Sequence, residues 1–104
     1  MDFEEDYRDE LQERFESLGE HHSLLDFEKI PENERLHPNP DVCGILKVYS
    51  LLKEKSDFSL HSEHDILYLC NGTIETFHPL SDEDIIYMIR CGVHCEEYGL
   101  AMFN

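Results

Sequence analysis

Basic residues are scarce in this sequence. Its 104 residues include 8 lysines and arginines against 24 aspartates and glutamates, which gives a formal net charge of -16. A charge of this size repels nucleic acid and anionic membranes, and it speeds encounter with basic surfaces. The composition therefore disfavours direct binding to nucleic acid or to a membrane, and it favours a basic protein as the partner.

Long apolar runs are also missing. No stretch reaches the roughly 18 apolar residues of a membrane span, and the first residues are acidic where a secretory signal would have basic residues followed by an apolar stretch. We therefore expect a cytoplasmic protein. Cysteines stay reduced in that compartment, so that we expect free thiols, two of them buried at Cys43 and Cys70.

Signatures of catalysis are absent as well. The five glycines form no phosphate-cradling loop, and no nucleophile elbow surrounds Ser62. Ser62, His64 and Asp65 are the residue types of a hydrolytic triad, but residues this close in sequence seldom point at one another. We therefore expect no enzymatic activity and no required cofactor.

The chain length predicts one domain over residues 1–104, and the first 38 residues divide into two segments. Residues 1–19 are expected to form an acidic amphipathic helix that begins at Asp2 and ends at Gly19. Its buried stripe consists of residues four or three positions apart, Phe3, Tyr7, Leu11, Phe15 and Leu18. Residues 20–38 contain two prolines and no sustained period, which is typical of a connector.

Residues 39–104 are expected to form a helix followed by a ββαβ module. The pair Asn39-Pro40 is typical of a helix start. The wide apolar face that follows, to about residue 54, favours a central packing helix. Gly44 within this helix would permit the close approach of another helix.

Three further signals predict the elements of the module. Asn71-Gly72 between two β-prone runs predicts a hairpin over 66–77. Ser81 can cap a helix over 82–91 that begins with three acids, and the apolar run at 99–103 is suited to a last strand. The predicted fold class is α+β, with two N-terminal helices packed with a small antiparallel sheet.

The C-terminal pattern also resembles a known group of proteins. The stretches SEHDILYL, LSDEDIIYMIRCGV and LAMF form an acidic strand start with histidine, a capped helix that ends at glycine, and a last strand with an aromatic end. This pattern resembles a module in small uncharacterised proteins encoded by bacteriophages, over roughly the last 45 residues. The resemblance implies a phage source and the host cytoplasm as location, and it carries over no catalytic residue.

Acids of the first helix are the main candidates for partner binding. Carboxylates four residues apart on a helix lie about 6 Å apart along its axis, on the scale of neighbouring phosphates of one nucleic-acid strand. An acidic face of this kind would imitate nucleic acid toward a basic groove on a host nucleic-acid-binding or defence protein. The candidate residues, with three from the later helix, are Glu4, Glu5, Asp6, Asp9, Glu10, Glu13, Glu16, Asp82, Glu83 and Asp84.

Two interpretations in which these acids bind no partner stay open. A charged helix face is usually a solvated one, and Glu4–Arg8 and Glu10–Arg14 are ordinary pairs four residues apart. In the alternative reading the protein is a structural or self-associating module, a homodimer held by the edge of the strand Leu100 to Phe103. Zinc could stabilise that module through four ligands, His61, His64, Cys91 and Cys95.

Overall fold

The computed structural model describes residues 9–71, 73–96 and 99–103. Its helices are α1 (Glu10–Gly19), α2 (Pro40–Leu51) and α3 (Asp82–Arg90). Its strands are β1 (Phe58–Glu63), β2 (Ile66–Asn71), β3 (Val93–Glu96) and β4 (Gly99–Phe103). Short 3₁₀ turns lie at Leu24–Lys29, Glu32–Glu34, Lys55–Asp57 and Ile74–Thr76. The predicted α+β class is confirmed.

The first helix begins later than the sequence predicts. Asp9 is extended (φ -63, ψ 145), and its Oδ2 accepts the N–H of Leu11 at 3.0 Å. A single helix over residues 1–19 is therefore wrong, because the chain leaves helical geometry at Asp9. The predicted cap Asp2 and the stripe residues Phe3 and Tyr7 lie outside the described residues. The rest of the stripe is confirmed, since Leu11 and Phe15 are 1% and 5% exposed.

The second helix starts where the sequence predicts. The Asn39 Oδ1 accepts the N–H groups of Asp41 at 2.8 Å and Val42 at 3.2 Å. A close approach occurs at Gly44, but to the sheet and the end of α3 rather than along another helix, because a Cβ there would lie 3.0 Å from Cγ2 of Val93 and 3.1 Å from Cβ of Cys91. The absence of a side chain at Gly44 therefore lets α2 lie directly on the sheet.

The predicted hairpin over 66–77 is wrong. Strand β2 pairs instead with β1, which precedes it, and the chain after β2 forms the 3₁₀ turn at Ile74–Thr76. The turn between β1 and β2 consists of His64 and Asp65, both with positive φ (52 and 66), as a two-residue hairpin turn requires. Thr73 and Thr76 favour the 3₁₀ turn because the Thr76 hydroxyl accepts the Thr73 N–H at 3.1 Å.

The four strands form one antiparallel sheet in the order β1-β2-β4-β3. The last strand lies at the predicted positions, but it is in the interior of the sheet. The predicted dimer contact through a free edge at Leu100 to Phe103 is therefore wrong, because both edges of β4 are already paired. The edge strands of the described sheet are β1 and β3, neither of which was predicted as a strand.

One face of the sheet carries the helices. Residues paired across antiparallel strands point to the same side, and Val93, Leu100 and Met102 share their buried cluster with α1, α2 and α3. A second cluster joins the connector residues Phe27 and Ile30 to Cys43 and Cys91. Cys43 and Cys70 are buried as predicted.

Candidate protein-binding surface

Three carboxylates of α1 and a fourth at its C-cap, Glu20, follow the solvent side of the helix. Each helical residue turns about 100°, so that these acids lie away from the buried stripe of Leu11 and Phe15. All four are exposed, and we call them the acidic ridge: Glu10, Glu13, Glu16 and Glu20. Sequence reasoning missed Glu20, although its spacing of four from Glu16 was a usable signal.

An arginine fastens the start of α3 beside this ridge. The Arg14 Nη2 donates to the carbonyl oxygen of Leu80 and to Oδ1 of Asp82, both at 2.9 Å, and its Nη1 lies 3.5 Å from Oε2 of Glu10. The contacts join positions 66 and 68 residues apart. The structure therefore brings together the two acidic segments that were predicted separately.

The α3 end of this surface is held by its own cap. The Ser81 Oγ accepts the Asp84 N–H, and Oδ2 of Asp84 accepts the Ser81 N–H, both at 3.1 Å. The other carboxylate oxygen of Asp84 lies 3.2 Å from Nζ of Lys47. These contacts leave Asp82 and Glu83 exposed at the helix start.

The candidate acids differ in what their carboxylates already contact. Asp9 is half-buried, and besides capping α1 it accepts the Ile74 N–H at 2.9 Å. The Asp84 carboxylate likewise forms its contacts within the fold. Glu13 and Glu83 are exposed, and Glu10 and Asp82 share the single cation Arg14. The candidates Glu4, Glu5 and Asp6 lie outside the described residues.

The ridge keeps most of its negative charge. Arg14 is the only lysine or arginine between residues 9 and 20. Exposed ion pairs of this kind are worth only about 0–1 kcal/mol and are screened by salt. In this part of the sequence a single arginine therefore stands against the four acids of the ridge.

Beside the ridge lies a cavity of about 390 Å³ between α1, the connector and the β3 edge. Phe15, Ile89, Val93 and Met102 line it, and Glu16 stands among its lining residues. Burial and, to a lesser extent, nearby charges that include Asp9 and Glu16 raise the pKa of Cys95 to about 11. The Cys95 thiol therefore stays protonated at neutral pH and is a weak nucleophile.

The four predicted zinc ligands are not brought together. His61 lies on β1 and His64 in the turn after it, whereas Cys95 lies on β3 at the other edge of the sheet, about 14 Å away at the usual strand spacing. Cys91 is buried at the end of α3. Among residues 9–71, 73–96 and 99–103, no three side chains of the metal-ligating types are close enough to hold an ion.

A half-buried polar cluster around Tyr87 joins the connector to both later helices. The Tyr87 hydroxyl donates to the carbonyl oxygen of Glu34 at 2.9 Å, accepts the Leu36 N–H at 3.0 Å and lies 3.0 Å from Sγ of Cys43. Burial and the neighbouring Cys43 thiol raise the pKa of Cys91 well above its ordinary value. Burial would raise the pKa of Cys43, but hydrogen bonds with Tyr87 and with the connector backbone hold it below its ordinary value. Cys43 and Cys91 are both fully buried, so that neither thiol is accessible to solvent.

Comparison with known proteins does not indicate a function for this chain. None of the described helices is long and apolar enough to cross a membrane. The chain matches no protein-family model, no curated protein and no solved structure. A functional conclusion therefore rests on the geometry and charge of the surface itself.

Proposed function

We propose that this protein is a non-enzymatic acidic binding module that occupies a basic surface of another protein. The observation that carries the proposal is the Arg14 junction, which holds Asp82 of α3 beside the acidic ridge of α1. Because the helix already fixes the backbone that carries these carboxylates, binding needs no further ordering of that backbone. The resemblance of the C-terminal stretches to bacteriophage proteins favours a host protein as the partner.

The spacing of the ridge suits a surface that ordinarily binds nucleic acid. Along the helix axis, Glu16 and Glu20 lie about 6 Å apart, and successive members of the set Glu10, Glu13 and Glu16 lie about 4.5 Å apart. A basic groove releases its counterions when it meets such a row, as it does with phosphates. The proposed activity is competitive inhibition of a nucleic-acid-binding or defence protein.

Two variants of equal net charge test where the binding charge lies. We expect Glu13→Lys/Glu20→Lys to weaken binding of a labelled oligoarginine peptide on the order of tenfold more than Glu28→Lys/Glu32→Lys. The control pair lies on exposed acids of the connector. Fluorescence anisotropy measures the affinities, and circular dichroism checks that both variants fold.

The fold should tolerate the ridge variant. Neither Glu13 nor Glu20 contacts Arg14, and a lysine at position 20 suits the negative end of the α1 dipole. Equal weakening by the two variants would contradict the proposal, because the binding would then follow net charge alone.

The second candidate is self-association through α2. Val42, Leu46 and Tyr49 lie four and three residues apart on one side of this helix and are 36%, 41% and 42% exposed. We expect a dimer in this case, which Leu46→Glu would convert to a monomer in sedimentation equilibrium. A monomer at every concentration of the unchanged protein would exclude it.

A further inference from the structure

The sheet has a second face, opposite the helices, which we call the outer sheet face. One cross-strand row of this face runs over all four strands and has a histidine at each end: His61, Tyr68, Ala101 and His94. The adjoining positions on the same face are Glu63, Ile66, Glu96 and Phe103. Neither buried cluster contains a residue of this face.

The two edges of the outer sheet face repeat one arrangement. On β1, Nε2 of His61 lies 3.2 Å from Oε2 of Glu63, and on β3, Nε2 of His94 lies 2.9 Å from Oε1 of Glu96. Each of these histidines also lies near an aromatic ring of the directly neighbouring strand, which is Tyr68 for His61 and Phe103 for His94. Both edges therefore combine a carboxylate with an aromatic surface.

The aromatic rings form the middle of the face. The His94 ring stacks on Phe103 with centroids 4.5 Å apart and planes at 21°. The His61 ring lies 6.1 Å from that of Tyr68. Phe103 is still 68% exposed, so that most of its ring surface is open to a partner.

The charge of the face has one sign. The segments FSLHSE, ILYLCN, VHCE and GLAMF that form the strands contain no lysine and no arginine. Glu63 lies 3.2 Å from Nε2 of His61 and 3.6 Å from Nε2 of His64, and Glu96 lies 2.9 Å from Nε2 of His94. A neutral histidine donates one N–H to a carboxylate and adds no positive charge. The face is thus both aromatic and anionic.

From this combination we infer that the outer sheet face binds an arginine-bearing segment of a partner protein. A guanidinium group is planar, stacks on aromatic rings and pairs with carboxylates through parallel N–H groups. Phe103 and Tyr68 supply the rings, and Glu63 and Glu96 supply the carboxylates. The inference rests on residues other than those of the acidic ridge, although Glu16 of the ridge and His94 and Phe103 of this face line the same cavity.

Other occupants fit this chemistry less well. Aromatic sheet faces that stack nucleic-acid bases also need to accept phosphates, which the two carboxylates repel. A second copy placed face to face would bring four glutamates into one interface to which the strands contribute no lysine or arginine, and the like charges would repel. Lysine can pair with a carboxylate, but it lacks the planar group that stacks.

The test compares hexa-arginine and hexa-lysine peptides on the full chain by fluorescence anisotropy. We expect hexa-arginine to bind about two- to fivefold more tightly than hexa-lysine, and Phe103→Ala to remove that preference. The ring of Phe103 is largely exposed, so that the fold should persist. The matched control is Leu25→Ala, since Leu25 is 92% exposed and lies on the connector; it should keep the preference unchanged.

A second variant guards against misfolding of the first. Glu63→Gln/Glu96→Gln keeps the shape of both side chains and removes their charge, and it should also reduce the preference for arginine. Equal binding of the two peptides by the unchanged protein, or a preference that survives both variants, would overturn the inference. So would dimer dissociation caused by Phe103→Ala, or binding of a single-stranded oligonucleotide that Phe103→Ala abolishes.

The same peptides separate this inference from the acidic ridge. Glu13→Lys/Glu20→Lys should weaken both peptides and leave hexa-arginine the tighter of the two, because the ridge has no exposed rings on which a guanidinium group can stack. Loss of that preference in this variant would show that arginine selection belongs to the ridge and would contradict the role of the sheet face.

Discussion

Tyr87 shows how one hydroxyl group can connect three parts of the chain. It contacts the connector at Glu34 and Leu36 and helix α2 at Cys43, while Nζ of Lys47 lies 4.7 Å above its ring. Burial and the Cys43 thiol raise the pKa of Tyr87 far above its ordinary value, so that the phenol stays protonated and donates. No sequence pattern pairs Tyr87 with residues some 50 positions away.

Removal of this hydroxyl should destabilise the fold. We expect Tyr87→Phe to lower the free energy of unfolding by about 1–3 kcal/mol, because the Leu36 N–H and the Cys43 thiol would lose their partner. Urea denaturation measures the change. Tyr49→Phe is the control, since the Tyr49 hydroxyl has no hydrogen bond among the described residues; an equal loss in both variants would refute the role of Tyr87.

Asp84 couples stability to pH. Burial alone would raise its pKa, but the N–H and hydroxyl of Ser81 and the ammonium group of Lys47 together hold the pKa of this carboxyl below its ordinary value. A depressed folded-state pKa means that the stabilisation is present above the unfolded-state value of about 3.9 and is lost as pH falls through the folded-state value.

The Asp84→Asn variant isolates this contribution. At pH 7 it should reduce the free energy of unfolding by about 1 kcal/mol, and the difference from the unchanged protein should shrink below about pH 4. Denaturation at a series of pH values measures this. Asp65→Asn, at an exposed turn position, should show neither effect. A difference for Asp84→Asn that stays constant down to acid pH would disprove the linkage.

At the scale of elements, α2 is positioned by the absence of a side chain. A Cβ at Gly44 would meet Val93, Cys91 and Met102 within 3.1 Å, whereas one at Gly19 of α1 would meet nothing within 4 Å. Alanine is favoured over glycine in a helix by about 1 kcal/mol. Overpacking of a core costs about 1–3 kcal/mol.

These two glycines should respond in opposite ways. We expect Gly44→Ala to lower the melting temperature, because α2 would be pushed away from the sheet, and Gly19→Ala to raise it slightly through helix propensity. Thermal unfolding followed by circular dichroism compares them. Stabilisation by both substitutions would show that the α2 contact is not tight.

The elements that the sequence predicted best are those with strong local caps. Asn39 starts α2 and Ser81 starts α3 through side-chain contacts within three residues, so that neighbouring letters are enough. Strand β1 was missed because most of its residues are exposed and polar, and its apolar alternation is weak. The hairpin prediction at Asn71-Gly72 was wrong because Thr73 and Thr76 favour a 3₁₀ turn at Ile74–Thr76.

At the scale of the whole molecule, the acidic character was predictable but its arrangement was not. Composition alone shows the charge of -16, and helical period alone places Glu13 and Glu16 toward solvent. The junction between Arg14 and Asp82 depends on how α1 packs against α3, which no local pattern reveals. The composition of the outer sheet face depends on strand order in the same way. Because β1 and β3 are the two edge strands, their histidines lie at opposite ends of one cross-strand row.

The central claim is that the acidic ridge, rather than net charge alone, binds basic partners. The most direct measurement is the ratio of two oligoarginine affinities, that of Glu28→Lys/Glu32→Lys divided by that of Glu13→Lys/Glu20→Lys. The ratio is measured as sodium chloride rises from about 0.1 M to about 1 M, because the Debye length then falls from about 10 Å to about 3 Å. We predict a ratio on the order of ten at the lower concentration that approaches one at the higher. A ratio of one at every salt concentration would contradict the claim.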